Sequence, residues 1–332
     1  MQAPWLISVA PRNMAIETRS PVSPRVALYL PDPSKIQVWC EMLANLLPGW
    51  HVQSMDSTDP NLVDYAVVWR PRPGDLGKFP QLKAIVSIGA GIDHVLADPS
   101  VPHDIPIIRT VGADLTQRMK EYVILHVLRH HRDMPRQLQA QAACDWHAIV
   151  VPVAPRRCVG VLGLGNLGRA AAIGLSQVGF LTRGWARSAR EIPGVQCFSG
   201  VSGLAPFLDG CEILVNLLPL TSETEGILNA DLFGQLPPGA CIVNCARGGH
   251  LDEDDLLDAL ARGHIKQATL DVFKIEPLPI AHPFWAHPAI TITPHIASQI
   301  DAETGARLIA QNLHLFHDSG TCADIADAER GY

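Results

Sequence analysis

Short apolar runs broken by glycine and proline dominate the chain, and between them apolar residues recur three or four apart. Residues 25–30 form the first run and stop at Pro31-Asp32-Pro33. Trp39, Met42, Leu43 and Leu46 then repeat at helical spacing as far as Pro48-Gly49. Runs at 65–69 and 82–88 follow, the second ending in Gly89-Ala90-Gly91. This alternation of buried-strand and helix patterns predicts a small parallel α/β unit. Residues 117–131 read as one long helix without Gly or Pro, and 134–155 as a less regular crossing segment. A second series of strands is predicted at 158–162, 181–185, 211–217, 241–245, 267–272 and 289–292.

The run at 158–162 passes directly into Gly163-Leu164-Gly165-Asn166-Leu167-Gly168, and a helical stretch follows from Arg169. Between a strand and a helix, G-x-G-x-x-G marks a dinucleotide pyrophosphate site. Gly163 permits the tight turn, Gly165 lets backbone approach the phosphates, and Gly168 lets the helix pack on the strand. The helix N-terminus adds free N–H groups and a positive dipole end. At the end of the next strand an acid would bond a ribose 2′-hydroxyl. Instead the chain reads Ala186-Arg187-Ser188-Ala189-Arg190, with no acid before Glu191. Arg187, Ser188 and Arg190 suit a 2′-phosphate, which favours NADPH over NADH. The bland alternative makes them solvated loop residues.

Ligands of open α/β sheets sit beyond the carboxyl ends of the strands. Those ends carry Leu218-Pro219, then Ala246-Arg247-Gly248, then Asp271 to Glu276, then Thr293-Pro294-His295. Reduction of a ketone by hydride needs an acid for the carbonyl oxygen, and a histidine serves near neutral pH. His295 fits that part. Glu276 can fix its tautomer and favour its charged form, and Arg247 can hold a carboxylate beside the carbonyl. Taken singly, each is equally a surface salt bridge or a loop histidine.

These motifs resemble the D-2-hydroxyacid dehydrogenase family, through residues 161–168, Asn244-Cys245-Ala246-Arg247-Gly248, Leu270-Asp271-Val272-Phe273 with Glu276-Pro277-Leu278-Pro279, and Thr293-Pro294-His295-Ile296-Ala297. Residues 65–69, 88–93, 119–122, 185–187, 193–196, 216–219 and 330–332 are similar to its glyoxylate/hydroxypyruvate reductase A branch. The resemblance implies Arg247, Glu276 and His295 as the catalytic set. It implies two Rossmann-like parallel-sheet domains, with a dinucleotide-binding domain (119–297) inserted in a discontinuous flavodoxin-like substrate domain (23–118 and 298–332). It further implies cofactor contacts at Leu218, Pro219, Cys245 and Ala246, and at Asp271 for the nicotinamide carboxamide. Ala90 and Gly91 would offer N–H groups to a substrate carboxylate, and the protein would be a homodimer through 117–131 and the following arm. Trp69 and Trp285 are candidates for an apolar wall over a small substrate, with core packing as the alternative. Arg70 and Arg72 depart from the pattern, since a less basic segment is expected there. If they face the cleft they alter substrate choice.

Composition narrows the classes. The 332 residues suit two domains. A hydrophobic fraction of 47% supports a sizeable core. A net charge of −7 without a long basic run argues against nucleic acid as partner. No apolar run reaches the roughly 18 residues of a spanning helix, so no membrane partner is expected. Eight cysteines without a CxxC pair read as reduced core thiols in a cytoplasmic protein. Residues 1–22 read as a disordered extension. His126, His130 and His131 read as helix-surface residues, with no metal site. Asp252-Glu253-Asp254-Asp255 reads as the acidic first turn of a helix. The expectation is an NADPH-linked reductase of a small 2-oxo acid. Alternatives are a dehydrogenase for a larger 2-oxo acid and a dinucleotide-sensing interaction protein without activity.

Overall fold

A computed structural model describes residues 23–102 and 104–327. The expected extension at 1–22 and the Arg330-Gly331-Tyr332 motif lie outside the described residues. In the first half, β1 (Arg25–Tyr29), α1 (Pro33–Leu46), β2 (His51–Ser54), β3 (Tyr65–Val68), β4 (Ala84–Ser87), α2 (Asp93–Leu96) and β5 (Ile107–Arg109) follow in order. Their strands form one parallel sheet in the order β2-β1-β3-β4-β5, the flavodoxin-like arrangement. Proline after capping Asp32 starts α1, and Asp32 accepts the Ser34 N–H.

Helices α3 (Ala113–His131) and α4 (Met134–Ala142) lead to the second half. There β6 (Cys158–Leu162), α5 (Asn166–Val178), β7 (Leu181–Ala186), β8 (Gln196–Ser199), α6 (Leu204–Leu208), β9 (Ile213–Asn216), α7 (Ala230–Gly234), β10 (Ala240–Asn244), α8 (Glu253–Ala261), β11 (Ile265–Leu270) and β12 (Ile290–Ile292) follow, and α9 (Ala302–Ser319) comes last. The seven strands are parallel in the order β12-β11-β10-β9-β6-β7-β8, so the chain reverses direction across the sheet between β6 and β9. That is the dinucleotide-binding order with one strand added.

Helix α9 does not stay with the second sheet. Ala306, Ile309, Ala310, Leu313 and Phe316 pack in one core with Val26, Leu28, Trp39 and Leu43 of the first half. Residues 324–326 then run antiparallel to β5, where Arg109 donates to the Asp324 carbonyl and Ala326 to that of Ile107.

Several expectations need correction. Helix α3 begins four residues earlier than expected, after Gly112. The segment after Met134 contains α4, which the Met-Pro start concealed. The three α3 histidines are not on a solvated face: His126, His130 and His131 are all buried. His130 Nδ1–H donates to Gln267 Oε1, and Nε2 accepts from Thr269 Oγ1, both from β11. Five cysteines are buried, but Cys144 is exposed; all eight are free. The acidic run does begin a helix: Asp252 caps α8 by accepting from the Asp255 N–H. Among the described residues no group of ligands is poised for a metal, and no helix is long and apolar enough to cross a membrane.

Candidate active site

Register aligns the strand ends. Asn216 of β9 stands level with Leu162 of β6 and Asn244 of β10, and Asn244 with Leu270 of β11. Consequently Gly163, Leu217, Cys245 and Asp271 leave the sheet along one edge. Two asparagines lock this edge. Asn216 Nδ2 donates to Asn244 Oδ1 at 3.1 Å, and Asn216 Oδ1 accepts from the Leu218 N–H. The carboxyl ends of the first sheet face the same space. Between them lies a cleft of about 1910 Å³.

The glycine loop is built for a close-approaching anion. Gly163 has φ +93°, and a Cβ there would meet the Leu217 carbonyl at 2.6 Å. A Cβ on Gly168 would come within 1.8 Å of the Gly163 carbonyl oxygen, whereas one on Gly165 would face open space. Helix α5 begins without a side-chain cap, so its first N–H groups remain available. Leu164, Asn166 and Leu167 also line the cleft. Farther along the rim stand Arg187, Ser188 and Arg190, with Arg187 Nη1 3.9 Å from Glu223 Oε2. Leu218, Pro219, Cys245 and Ala246 border the same cleft.

The predicted trio lines the same cleft. His295 Nδ1–H donates to Glu276 Oε2 at 2.8 Å, which leaves Nε2 as the ring's other nitrogen. Glu276 Oε1 accepts from the Phe273 N–H at 2.9 Å. Burial pushes the Glu276 carboxyl up, but the bonds from His295 and Phe273 and the nearby Arg70 outweigh it and hold it below its ordinary range. Arg247 Nε donates to both oxygens of Asp93, at 2.9 and 3.0 Å, and Nη1 donates to the Ala246 carbonyl. Its Nη2 lies over Gly91, where a Cβ would meet it at 1.9 Å. The glycine at 91 is therefore the seat of the guanidinium.

Asp271 holds the histidine loop. Its carboxylate accepts from Thr293 Oγ1, the Ile296 N–H and the Ala297 N–H, while its carbonyl accepts the His295 N–H at 2.8 Å. Tyr122 of α3 donates to Thr293 Oγ1 at 2.7 Å, extending the chain of bonds into the helix. Burial raises the Asp271 carboxyl above its ordinary range despite these donors. His295 itself sits at φ +55°, a left-handed conformation that costs a non-glycine residue about 1–2 kcal/mol. The clamp from Asp271 keeps it there.

The tryptophans separate. Trp69 lies between His94 and His295, edge to face with each at 4.8 and 5.9 Å, and faces the cleft. Trp285 is half exposed on the rim, its Nε1–H donating to the Pro279 carbonyl. The two arginines separate as well. Arg70 enters the cleft and donates to Glu276 Oε2 at 2.9 Å. Arg72 turns away to Asp56 and Asp75, so the expectation that it could face the cleft fails. Sequence reasoning missed Asp93, Thr293 and Tyr122 as partners of the site; only the fold brings them to Arg247 and Asp271.

Residues 122–297 match the family model of the D-isomer specific 2-hydroxyacid dehydrogenase NAD-binding domain. The chain is 41% identical over 299 residues to glyoxylate/hydroxypyruvate reductase A of Serratia proteamaculans, covering 89% of this chain and 96% of the relative. A D-isomer specific 2-hydroxyacid dehydrogenase from Xanthobacter autotrophicus, solved with NADPH and MES, superposes with a TM-score of 0.87 at 40% identity, over 93% of this chain and 100% of that one. The NADPH-dependent glyoxylate/hydroxypyruvate reductase of Sinorhizobium meliloti, solved with NADP and sulfate, gives 0.85 at 35% identity over 93% and 100%. With these strand-end residues gathered at one cleft and likeness along most of its length, the chain belongs to the D-isomer specific 2-hydroxyacid dehydrogenase family.

Proposed function

We propose that this dehydrogenase uses NADPH to reduce glyoxylate and hydroxypyruvate, giving glycolate and D-glycerate. The observation that carries the reading is the His295–Glu276 pair and the Arg247 guanidinium lining the same cleft as the glycine loop. The names of the relatives support the same substrates and cofactor.

The residues present fit the cofactor: residues 163–168 take the pyrophosphate, Arg187, Ser188 and Arg190 the 2′-phosphate, and Leu218, Pro219, Cys245, Ala246 and Asp271 border the nicotinamide side. Bound NADPH supplies a hydride. Arg247 and the N–H groups of Ala90 and Gly91 hold the substrate carboxylate, and Arg247 polarises the neighbouring carbonyl. His295 gives its Nε2 proton to the carbonyl oxygen. Glu276 orients the ring and balances its charge. Trp69 walls one side of the substrate, and Trp285 caps the rim.

We also assign a second copy of the chain to the arm after α3, where Leu138, Trp146, Val150 and Val153 expose apolar surface. Sedimentation should give a dimer; a monomer at micromolar protein removes this assignment. Eight free thiols suit the reducing cytoplasm.

The test is oxidation of NADPH and of NADH with glyoxylate, hydroxypyruvate and pyruvate in parallel. Fast turnover of the first two, with NADPH preferred, is expected. His295→Asn should lower kcat by about 10²–10⁴-fold and leave NADPH binding unchanged. Comparable efficiency with NADH overturns the 2′-phosphate assignment. NADPH binding without turnover of any of the three substrates overturns the substrate assignment.

A further inference from the structure

Glu276 Oε2 serves two donors. It accepts from His295 Nδ1 at 2.8 Å and from Arg70 Nη1 at 2.9 Å, while Oε1 is engaged by the Phe273 N–H. The two donors come from opposite walls of the cleft, Arg70 from the loop after β3 and His295 from the loop after β12. Both sit in the left-handed region, Arg70 at φ +47° and His295 at +55°. Such conformations persist where surrounding bonds over-determine them. Arg70 also lines a second cavity of about 410 Å³ with Asp93 and Arg247, and its side chain is 37% exposed against 12% for Glu276. Water therefore reaches the arginine, and the fold does not depend on burying it.

We propose that Arg70 is a positioning residue that sets how readily His295 gives up its proton, by drawing on the same carboxylate oxygen. This rests on the reading of His295 as proton donor. A carboxylate stabilises a neighbouring imidazolium, and a second cation on that carboxylate opposes it. Removing Arg70 leaves Glu276 wholly to His295, and the imidazolium then holds its proton more tightly. The other charged or titratable groups that face the pair are Asp271, whose carbonyl takes the His295 N–H, His94 behind Trp69, and Arg247 with its partner Asp93 across the cleft. Among the described residues, Arg70 and His295 are the side chains hydrogen-bonded to Glu276 Oε2.

The experiment compares Arg70→Met, Arg70→Gln, Arg70→Lys and, as a control, Arg72→Met, whose arginine pairs with Asp56 and Asp75 instead. Two readouts are taken: the pH profile of kcat/KM for 2-oxo acid reduction, and the ring-proton NMR titration of His295 in each protein, assigned by its absence from His295→Gln. Reduction needs the protonated ring, so activity falls as pH rises through the His295 midpoint. Met and Gln at position 70 should each raise that midpoint by threefold or more in proton affinity and carry the basic limb of the profile to higher pH. Lys should restore it, and Arg72→Met should leave it in place. Gln keeps an N–H for Glu276 without charge, so it separates charge from hydrogen bonding and serves equally if the Met variant does not fold. Coincident NMR midpoints in wild type and Arg70→Gln overturn the proposal. A shifted midpoint in a protein that turns over no 2-oxo acid keeps the effect of Arg70 on His295 and overturns the 2-oxo acid reductase reading instead.

Discussion

Gly91 carries no side chain, yet its substitution should disturb the site as much as loss of a charged group. A methyl at that position would stand 1.9 Å from Arg247 Nη2 and 2.8 Å from Asp93 Oδ1. The guanidinium is held at Nε by Asp93 and at Nη1 by the Ala246 carbonyl, so moving it away from the methyl strains those bonds. Gly91→Ala should raise the KM for 2-oxo acids by about 10–100-fold, the worth of one charged hydrogen bond, with a smaller change in NADPH affinity. Steady-state kinetics with each ligand varied in turn reads the split, and an unchanged KM would show that the guanidinium seat is not the carboxylate seat. At this scale much of the site was legible. Arg247, Glu276, His295 and the three loop glycines are residue types whose chemistry is distinctive at strand ends. Asp93 was not, because one aspartate among 33 acids in the chain announces nothing until a fold sets it against an arginine. Arg70 and Arg72 read alike in sequence and diverge in space, one to Glu276 and the other to Asp56 and Asp75.

Among the elements, α3 departs furthest from its sequence pattern. Histidines near the end of a helix suggest a polar face, but α3 is wedged beneath the second sheet and its histidines are bonded from β11 or packed against Tyr122 and Phe180. Periodicity reported the helix and could not report which neighbours would bury it. The missed strands β2, β5 and β8 have a related cause. They are three or four residues long, and β2 and β8 have few buried side chains, so apolar runs do not mark them. Buried histidines leave a thermodynamic trace. Burial pushes His94, His126 and His130 down to about 4 each. The unfolded chain binds their protons near pH 6.5, so between these values it carries more protons than the folded one. Stability should therefore fall as pH drops from about 6.5 towards 4, by up to about 1.4 kcal/mol per pH unit for each histidine. Urea unfolding across that range checks it. His130→Gln should flatten the slope by one histidine's share, and an unaltered slope would remove His130 from the account.

For the molecule as a whole, two cross-cleft ion pairs stand out: Arg70 with Glu276, and Asp93 with Arg247. Each joins a residue of the first sheet's loops to one of the second's, so assembly of the reactive groups and approach of the two sheets are one event. The return of α9 to the first sheet has a different consequence, in the order of synthesis. Strands β1 to β5 are translated before the second sheet, yet one face of their sheet stays bare of Ala306, Ile309, Leu313 and Phe316 until α9 has been made. The glycine-loop sheet, though made later, has its own strands and cores complete by Ala297. A released chain truncated before Asp301 should thus resist protease in its second half and be cut within β1 to β5, and extension through Ser319 should close those cuts. The half of the protein that is born first is finished last, and until then its apolar sheet face is a surface for chaperones to guard.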